Sequence, residues 1–514
     1  MFVRIIKGRT REYAVIIRGY RDKAGKVWHK TVQNLGVVTD KNREELLALG
    51  RQLISHREEA PYIRTGQEID EVSRQNWGAP AVVAALWQRF ELDTVLGSKA
   101  PALQLLLADR WLSPSSKQAT YHKREAYLGG GDVTLQALYR AMDYLAQHQD
   151  ALKAHLFHQQ RRYGPLDVVL FDVTTLYFES QRADELRAFG YSKDGKAHEV
   201  QVVLSVVVSK EGCPLTYEIF SGNTSEGHTL LPVLSQLRER MAVGNVILVA
   251  DRGIGSLDNL EALTAHGFEY VMGARLRCAG QQFQQEAIDP KGFTTLAIHD
   301  DPITCRYKWV THPKHGQWVI LWSNSRAQKD AQDRQRLVEK AQDMLATGKG
   351  KGRRGAQKYL KGTSVAYQGL DDDKIALHAQ FDGFYALSVN GKNLSAAQVA
   401  ATYHQLWRIE ETFRTLKTFF DIRPLSHWTP RRIQGHILFT FIVLVLENHL
   451  LLSLQKTSEH PVSHDRIRHA LTALQCSLLS ISGQSFVSYA RLDPLQSDIL
   501  ASLHIPIPRN HPAP

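Results

Sequence analysis

Apolar positions along the chain change their period several times. Between residues 75 and 155 they recur three and four apart in "APAVVAALWQRFEL", "ALQLLLADRWL" and "TLQALYRAMDYLAQHQ". That spacing predicts helices joined by short breaks. From residue 166 the period shortens. "LDVVLFDVTTLYFES", "HEVQVVLSVVVS" and "CPLTYEIFSG" are β-branched runs of the kind found in buried strands. "EGHTLLPVLSQLRERM" returns to helical spacing. "GNVILVADRG", "SLDNLEALTAHG" and "FEYVMGARLR" then read as strand, Ser-capped helix and strand. Three strands, a helix, and strands alternating with helices predict a mixed α/β sheet.

The rhythm breaks between 278 and 380. "TCRYKWVTH" and "GQWVILWSNS" predict a hairpin, followed by a polar helix and the basic run "TGKGKGRRGAQKYLKG". The α/β pattern resumes at "GFYALSVN", with one helix predicted from Ser395 to about Phe420 and an apolar helix from Arg431. At the other end, "YAVIIRGYRD" and "VWHKTVQNLG" predict strands around a turn from Lys23 to Lys26, with a helix over "NREELLALGRQLISHREE". No internal repeat is visible. The expected divisions are a basic β-rich unit over 1–65, a helical region over 66–155, and a sheet domain over 156–277. An insertion over 278–380, the resumed domain over 381–455 and a helical tail over 456–514 follow.

The apolar segment from Ile437 is interrupted by Glu447, Asn448 and His449. A membrane span needs about 20 apolar residues, so a buried core helix is expected and no membrane partner. The 514 residues carry a net charge of +11, which favours a polyanionic partner. Four scattered cysteines, Cys213, Cys278, Cys305 and Cys476, form no CxxC pair and suit a reducing cytoplasm.

Two apolar runs deliver an aspartate in the same way: "VVLF" runs into Asp172 and "VILVA" into Asp251. A carboxylate directly after a buried run is costly unless it is hydrogen-bonded or binds a cation. Each aspartate could equally cap the turn that follows. A third carboxylate lies in "YHQLWRIEETFRTLK", residues 403–417. At about 100° per residue, Leu406, Ile409, Phe413, Leu416 and Phe420 share one face. Tyr403, Glu410 and Lys417 form a stripe along its edge, and Glu411 points to water. Glu410 can then reach the sheet, or it can form a border salt bridge with Arg414. Carboxylates from two strands and one helix offer oxygen ligands suited to Mg²⁺ or Mn²⁺. Arg252 and Lys193 are candidate phosphate contacts or surface ion pairs. Glu226 reads as a capping residue, and His198, His228 and His427 show no metal-ligand spacing.

The same stretch resembles the Tyr-Arg-Glu-Lys box of bacterial insertion-sequence DDE transposases. Tyr403, Glu410 and Lys417 match the box, with Leu406 at its Arg position. "FDVTTLYFE", "YSKDGKAHEVQVVLSVVV", "YEIFSGNTSEGHTLLPVL" and "ADRGIGS" are similar to the first-Asp and second-Asp regions, in the family's order. The resemblance covers about residues 1–455. It implies a ribonuclease-H-like catalytic domain with a β-rich insertion before the Glu helix. It also implies a metal-binding catalytic triad of Asp172, Asp251 and Glu410, with Mg²⁺ (or Mn²⁺) as cofactor. The implied DNA partners are terminal inverted repeats and target DNA, with the basic unit and the helical region up to about residue 155 expected to bind the ends, and pairing two ends implies a homodimer. Tyr403 and Lys417 would touch DNA near the cut, Arg408 or Arg414 would replace the missing Arg, and Lys351, Arg353 and Arg354 would meet phosphates from a mobile loop. The competing readings are a transposase-derived DNA-binding protein without catalysis and a ribonuclease-H-like nuclease without strand transfer.

Overall fold

The computed structural model describes residues 2–8, 11–21, 27–54, 69–164, 166–240, 246–296, 305–347, 355–363, 366–391, 393–481 and 484–512. The turn at 23–26 and Lys351, Arg353 and Arg354 lie outside them.

The N-terminal unit is an antiparallel sheet of β1 (Phe2–Lys7), β2 (Glu12–Arg21) and β3 (Val27–Val37), followed by a helix over Arg43–Ile54. Ala14, Val15, Ile16 and Ile17 of its central strand are buried. β4 (Ile69–Asn76) opens the next region and is a strand where a helix is expected.

The central sheet begins with β5 (Val168–Tyr177), β6 (Gln201–Ser209), β7 (Pro214–Ser221), β8 (Ile247–Ala250) and β9 (Glu269–Ala274). β5, β8 and β9 run parallel, and β6 and β7 are antiparallel in the order β7-β6-β5-β8-β9. This is the ribonuclease-H-like arrangement. Every residue of β6 is buried, which explains its unbroken apolar run. Alternation along β5 assigns the two faces. Val169, Phe171 and Val173 join the core under the helices Leu230–Ser235 and Leu257–Ala265. Leu170 and Leu176 join the core that holds Ile409, Phe413 and the helix Pro430–Thr457.

The insertion does not leave this sheet. β10 (Thr294–Leu296), β11 (Cys305–His312) and β12 (Gly316–Ser323) extend it, because β12 pairs with β15 (Phe384–Val389) and β15 with β9. The nine strands are therefore continuous. Among the described residues, the helix Asn324–Thr347, the ribbon of β13 (Leu360–Thr363) and β14 (Ala366–Leu370) and the helix Asp372–Ala379 gather around a small core of their own. Insertion in the chain and separation in space are different things here, since the hairpin's free edge finds its partner in β15.

The expected helical tail is also different. It forms β16 (Gln475–Ile481), β17 (Gln484–Tyr489) and β18 (His511–Pro512) as well as helices, and β16 pairs with β4. Trp77 and Gly78 donate backbone hydrogen bonds to Leu474, and a Cβ on Gly78 would lie 2.3 Å from the Leu474 side chain. Likewise a Cβ on Gly435 would lie 2.3 Å from the Met142 carbonyl oxygen, so the helices Leu135–Gln147 and Pro430–Thr457 pack at close quarters. Residues 69–161 and the tail thus share one core with the central sheet. The expected boundaries near 155 and 456 mark no break in packing.

The helix Pro430–Thr457 is the one helix among the described residues long and apolar enough to cross a membrane, and most of it is buried inside the protein. Glu447, which interrupts its apolar run, is buried and pairs with His464 at 3.1 Å. Burial pulls the His464 pKa down, but the Glu447 carboxylate, with Glu411 adding, holds it above the ordinary range.

Candidate functional site

β5 is longer than its parallel neighbour. Phe171 pairs with Ala250, the last residue of β8, so Asp172 stands in mid-strand where β8 has ended and Asp251 has begun the loop. The expectation of an aspartate at a strand end holds for Asp251. Asp172 instead sits beside a crevice created by the shorter strand. Crevices at the carboxyl ends of parallel strands are where ligands gather in open α/β sheets. Asp172 shares parity with Leu170, so it faces the side of the sheet covered by the Glu410 helix.

The Asp172 side chain is 24% exposed. Its carboxylate accepts the Val173 backbone N–H at 2.7 Å. Burial pushes its pKa up to about 6; Lys193 and the Val173 N–H oppose this, and the charges of Glu226 and Asp251 reinforce it. Lys193 Nζ lies 3.7 Å from Asp172 and 2.8 Å from Glu226, and donates to the Val173 carbonyl at 2.6 Å. The Lys193 backbone N–H donates to Thr175 Oγ1 at 3.0 Å, which fixes the loop against β5. Lys193 is therefore an ion-paired residue of the site. Glu226 is not a cap: its carboxylate turns toward Lys193 and Gly253, where a Cβ would sit 2.3 Å from Glu226 Oε2. The signal for this was the glycine of "DRGIGS", which leaves the room a carboxylate fills.

Tyr403 closes the other side. Its hydroxyl donates to Asp251 Oδ1 at 3.1 Å. Burial raises the Tyr403 pKa, and the Asp251 charge raises it further, so the phenol stays a donor. Gly273 makes the approach possible, since a Cβ there would meet the Tyr403 hydroxyl at 2.8 Å and Asp251 Oδ1 at 3.2 Å.

The predicted single helix is broken. Ala396–His404, with a Ser395–Gln398 capping box, and Trp407–Arg414 are joined by a turn, and Thr415–Phe419 is a widened π turn. Between them Leu406, Arg408 and Ile409 bond three residues back rather than four. The tightened turn lies between two anchors, Tyr403 on Asp251 and Arg408 on the Glu211 carbonyl at 3.0 Å. Arg408 also bonds Gln405, so the structure places it at the β6–β7 edge. Arg414 is exposed. Lys417 pairs with Asp194 at 3.1 Å, beside Arg423, which reaches the same carboxylate at 3.1 Å. Burial lowers the Lys417 pKa, and Asp194 partly restores it.

Glu410 is exposed. It lies midway between Tyr403 and Lys417, whose contacts span from Asp251 to the Lys193–Asp194 turn beside Asp172. Its segment Trp407–Arg414 lies against β5 and β6, and the preceding Ala396–His404 against β8 and β9. Glu411 does not simply point to water. It is half-buried and lines a cavity with Trp407, Asn448 and His464, because the tail folds back over that face. Among the described residues no three of His, Cys, Asp and Glu stand close enough to hold a metal ion. Asp172, Asp251 and Glu226 nevertheless form an anionic group with a lysine ammonium inserted, which is the charge pattern of a cation site. Carboxylate oxygens suit a hard divalent cation.

A ribonuclease-H-like sheet with paired aspartates at the crevice defines a class of metal-dependent enzymes that act on nucleic acid phosphodiesters. Residues 163–446, more than half of the chain, match the transposase DDE domain, and residues 3–61 match the N-terminal domain of IS1634 family transposases. The chain belongs to the transposase DDE domain family. It is a DNA transposase of an insertion sequence, and the family's activity is metal-dependent DNA cleavage and strand transfer. No curated protein matches it. Among solved structures it is similar to a piggyBac transposase synaptic complex with hairpin DNA, at 9% identity and a TM-score of 0.35 over 77% of each chain.

Proposed function

We propose that this transposase uses Asp172, Asp251 and Glu410 as its catalytic carboxylates, with Mg²⁺ as the divalent cation and Mn²⁺ as a substitute. The observation that carries the reading is Tyr403, seven residues before Glu410, bonded to Asp251. It ties the helix just before the glutamate segment to the aspartate crevice. Two divalent ions at such a site supply an activated oxygen and stabilise the leaving oxygen at a phosphodiester. The rest is done by the chain. Tyr403 fixes the rotamer of Asp251. Lys193 holds the anionic group together until DNA and cation arrive, and then is free to face a phosphate. Tyr403, Arg414 and Lys417 border the crevice as DNA contacts. Lys351, Arg353 and Arg354 would add phosphate contacts, and Arg408 would have to leave Glu211 to do so.

The substrates are the terminal inverted repeats of the element and then target DNA, with the freed 3′-hydroxyl attacking the target. Both steps are in-line displacements at phosphorus, so one site serves both. A homodimer pairs the two ends, and the protein works in the cytoplasm. The test is incubation with the DNA flanking its own gene and Mg²⁺, followed by sequencing of joints. Joints through the 3′ ends of the element are expected. Cuts without joints would favour a nuclease, and binding without cuts a non-catalytic DNA-binding protein.

A further inference from the structure

A second cavity, of about 410 Å³, opens between the corner Arg110–Lys117, Tyr139 and the loop 421–429 that leads into the helix Pro430–Thr457. Its floor is cationic and buried. Lys117 is 3% exposed, and its Nζ lies 3.1 Å from His436 Nδ1 and 4.4 Å above the Phe439 ring. Among the described residues it has no ion-pair partner. Arg110, 4% exposed, spends its terminal nitrogens on the carbonyls of Phe420, Asp421 and Ser115, and its buried Nε has no partner. His436 Nε2 is likewise buried without a partner, and this ring lines the cavity.

Nearby carboxylates offset this floor only in part: Asp109 and Asp421 favour the charged form of Arg110, and Asp109 that of Lys117, yet burial outweighs them. Asp109 accepts from Ser115, Thr120 and Tyr127 and pairs with Lys123. Asp421 lines the cavity but is exposed. Arg432 and Arg423 at the mouth add positive charge, partly answered by Asp143 and Asp194. Burial depresses the pKa of Lys117 and of His436 and nearby positive charge depresses each further, against a smaller offset from Asp109 at Lys117 and from the Ile422 backbone at His436, so an anion in the cavity would favour their charged forms. An uncompensated buried cation is strongly unfavourable and is relieved by a bound anion.

We propose that this cavity is a binding site for a phosphate group, held by Lys117, Arg110 and His436. The Leu425 N–H donates to the Tyr177 carbonyl at the end of β5, five residues beyond Asp172, so the two sites lie about 16 Å apart along the strand. The Arg423–Asp194–Lys417 pairs bridge that interval. The phosphate is either a phosphodiester of bound DNA, a source that rests on the transposase reading, or free inorganic phosphate, which does not.

The experiment compares wild type with Lys117→Met and Arg432→Gln in the full chain. Met fills the lysine volume without its charge, so the first variant should fold, and Arg432→Gln provides the comparison if it does not. Inorganic phosphate should raise the wild-type melting midpoint beyond chloride at equal ionic strength, and the variants should lose that gain. On duplex DNA, a phosphodiester in the cavity predicts a log–log salt slope smaller by about 0.9 in the variants. Loss of the phosphate effect with an unchanged slope points to free phosphate, and a changed slope without a phosphate effect to DNA; either supports the site. The proposal is overturned if neither measurement changes in the variants, whether or not wild type responds to phosphate. Failure of wild type to cut end DNA in Mg²⁺ would strike the catalytic reading and leave the phosphate comparison readable.

Discussion

The Tyr403 hydroxyl donates to Asp251 Oδ1 at 3.1 Å across 152 residues of sequence. This single bond couples the end of a sheet strand to the helix Ala396–His404, which leads through one turn into the segment that carries Glu410. Removing only the hydroxyl, in Tyr403→Phe, keeps the ring's packing and frees the Asp251 carboxylate. A hydrogen bond to a charged group contributes about 1.5–3 kcal/mol. Single-turnover cleavage should fall roughly tenfold to a hundredfold, with the melting temperature little changed. Wild-type cleavage in this variant would mean that the bond positions nothing.

Asp172 sets the pH dependence. An unfolded aspartate titrates near 3.9, whereas burial raises this one to about 6 in the fold. The fold favours the protonated form. The group's contribution to stability is therefore complete below about pH 4 and lost as pH rises through 6. Asp172→Asn should match wild type at pH 4 and exceed it at pH 8. Two pKa units correspond to about 3 kcal/mol, and partial exposure reduces this to roughly 1–2 kcal/mol. Denaturant titrations at both pH values test it.

The N-terminal unit is the candidate reader of end sequence. Residues 69–161 share the catalytic core, so deleting 1–155 would remove half of the bed under the helix Pro430–Thr457. Deleting 1–65 should leave the main melting transition and the Mg²⁺ chemistry in place. Preference for end DNA over random duplex should disappear, because base contacts rather than phosphate contacts carry specificity. A truncated protein that still prefers end DNA would move recognition elsewhere.

Much of the fold was legible where period and capping agree. The β-branched runs ending near Asp172 and Asp251 are strands, and Ser256 and Ser395 cap the helices expected of them. What escaped was long-range. The pairing of β4 with β16 joins residues 400 apart, and nothing local in "IDEVSRQN" marks it as a strand. The site was half legible. Asp172 and Asp251 stand beside one crevice, as the two apolar runs suggested, but the bond from Tyr403 to Asp251 was not read from the sequence. The helix phase did not hold, because anchors at Tyr403 and Arg408 tighten the turn between them. Glu411 was misplaced for want of the tail that covers it. Glu226 looked like a cap because capping residues and site carboxylates share one chemistry, and only the space at Gly253 separates them.

The central claim is that Glu410 completes the catalytic carboxylates. It is tested most directly by cleavage of a labelled end duplex in Mg²⁺ by Glu410→Gln, with Glu411→Gln alongside and binding measured separately in Ca²⁺. Glu410→Gln should lose more than about a hundredfold in rate, beyond what removal of an outer partner costs, while still binding the end. Glu411→Gln should cut. Wild-type cleavage by Glu410→Gln, or equal loss in both variants, would contradict the account.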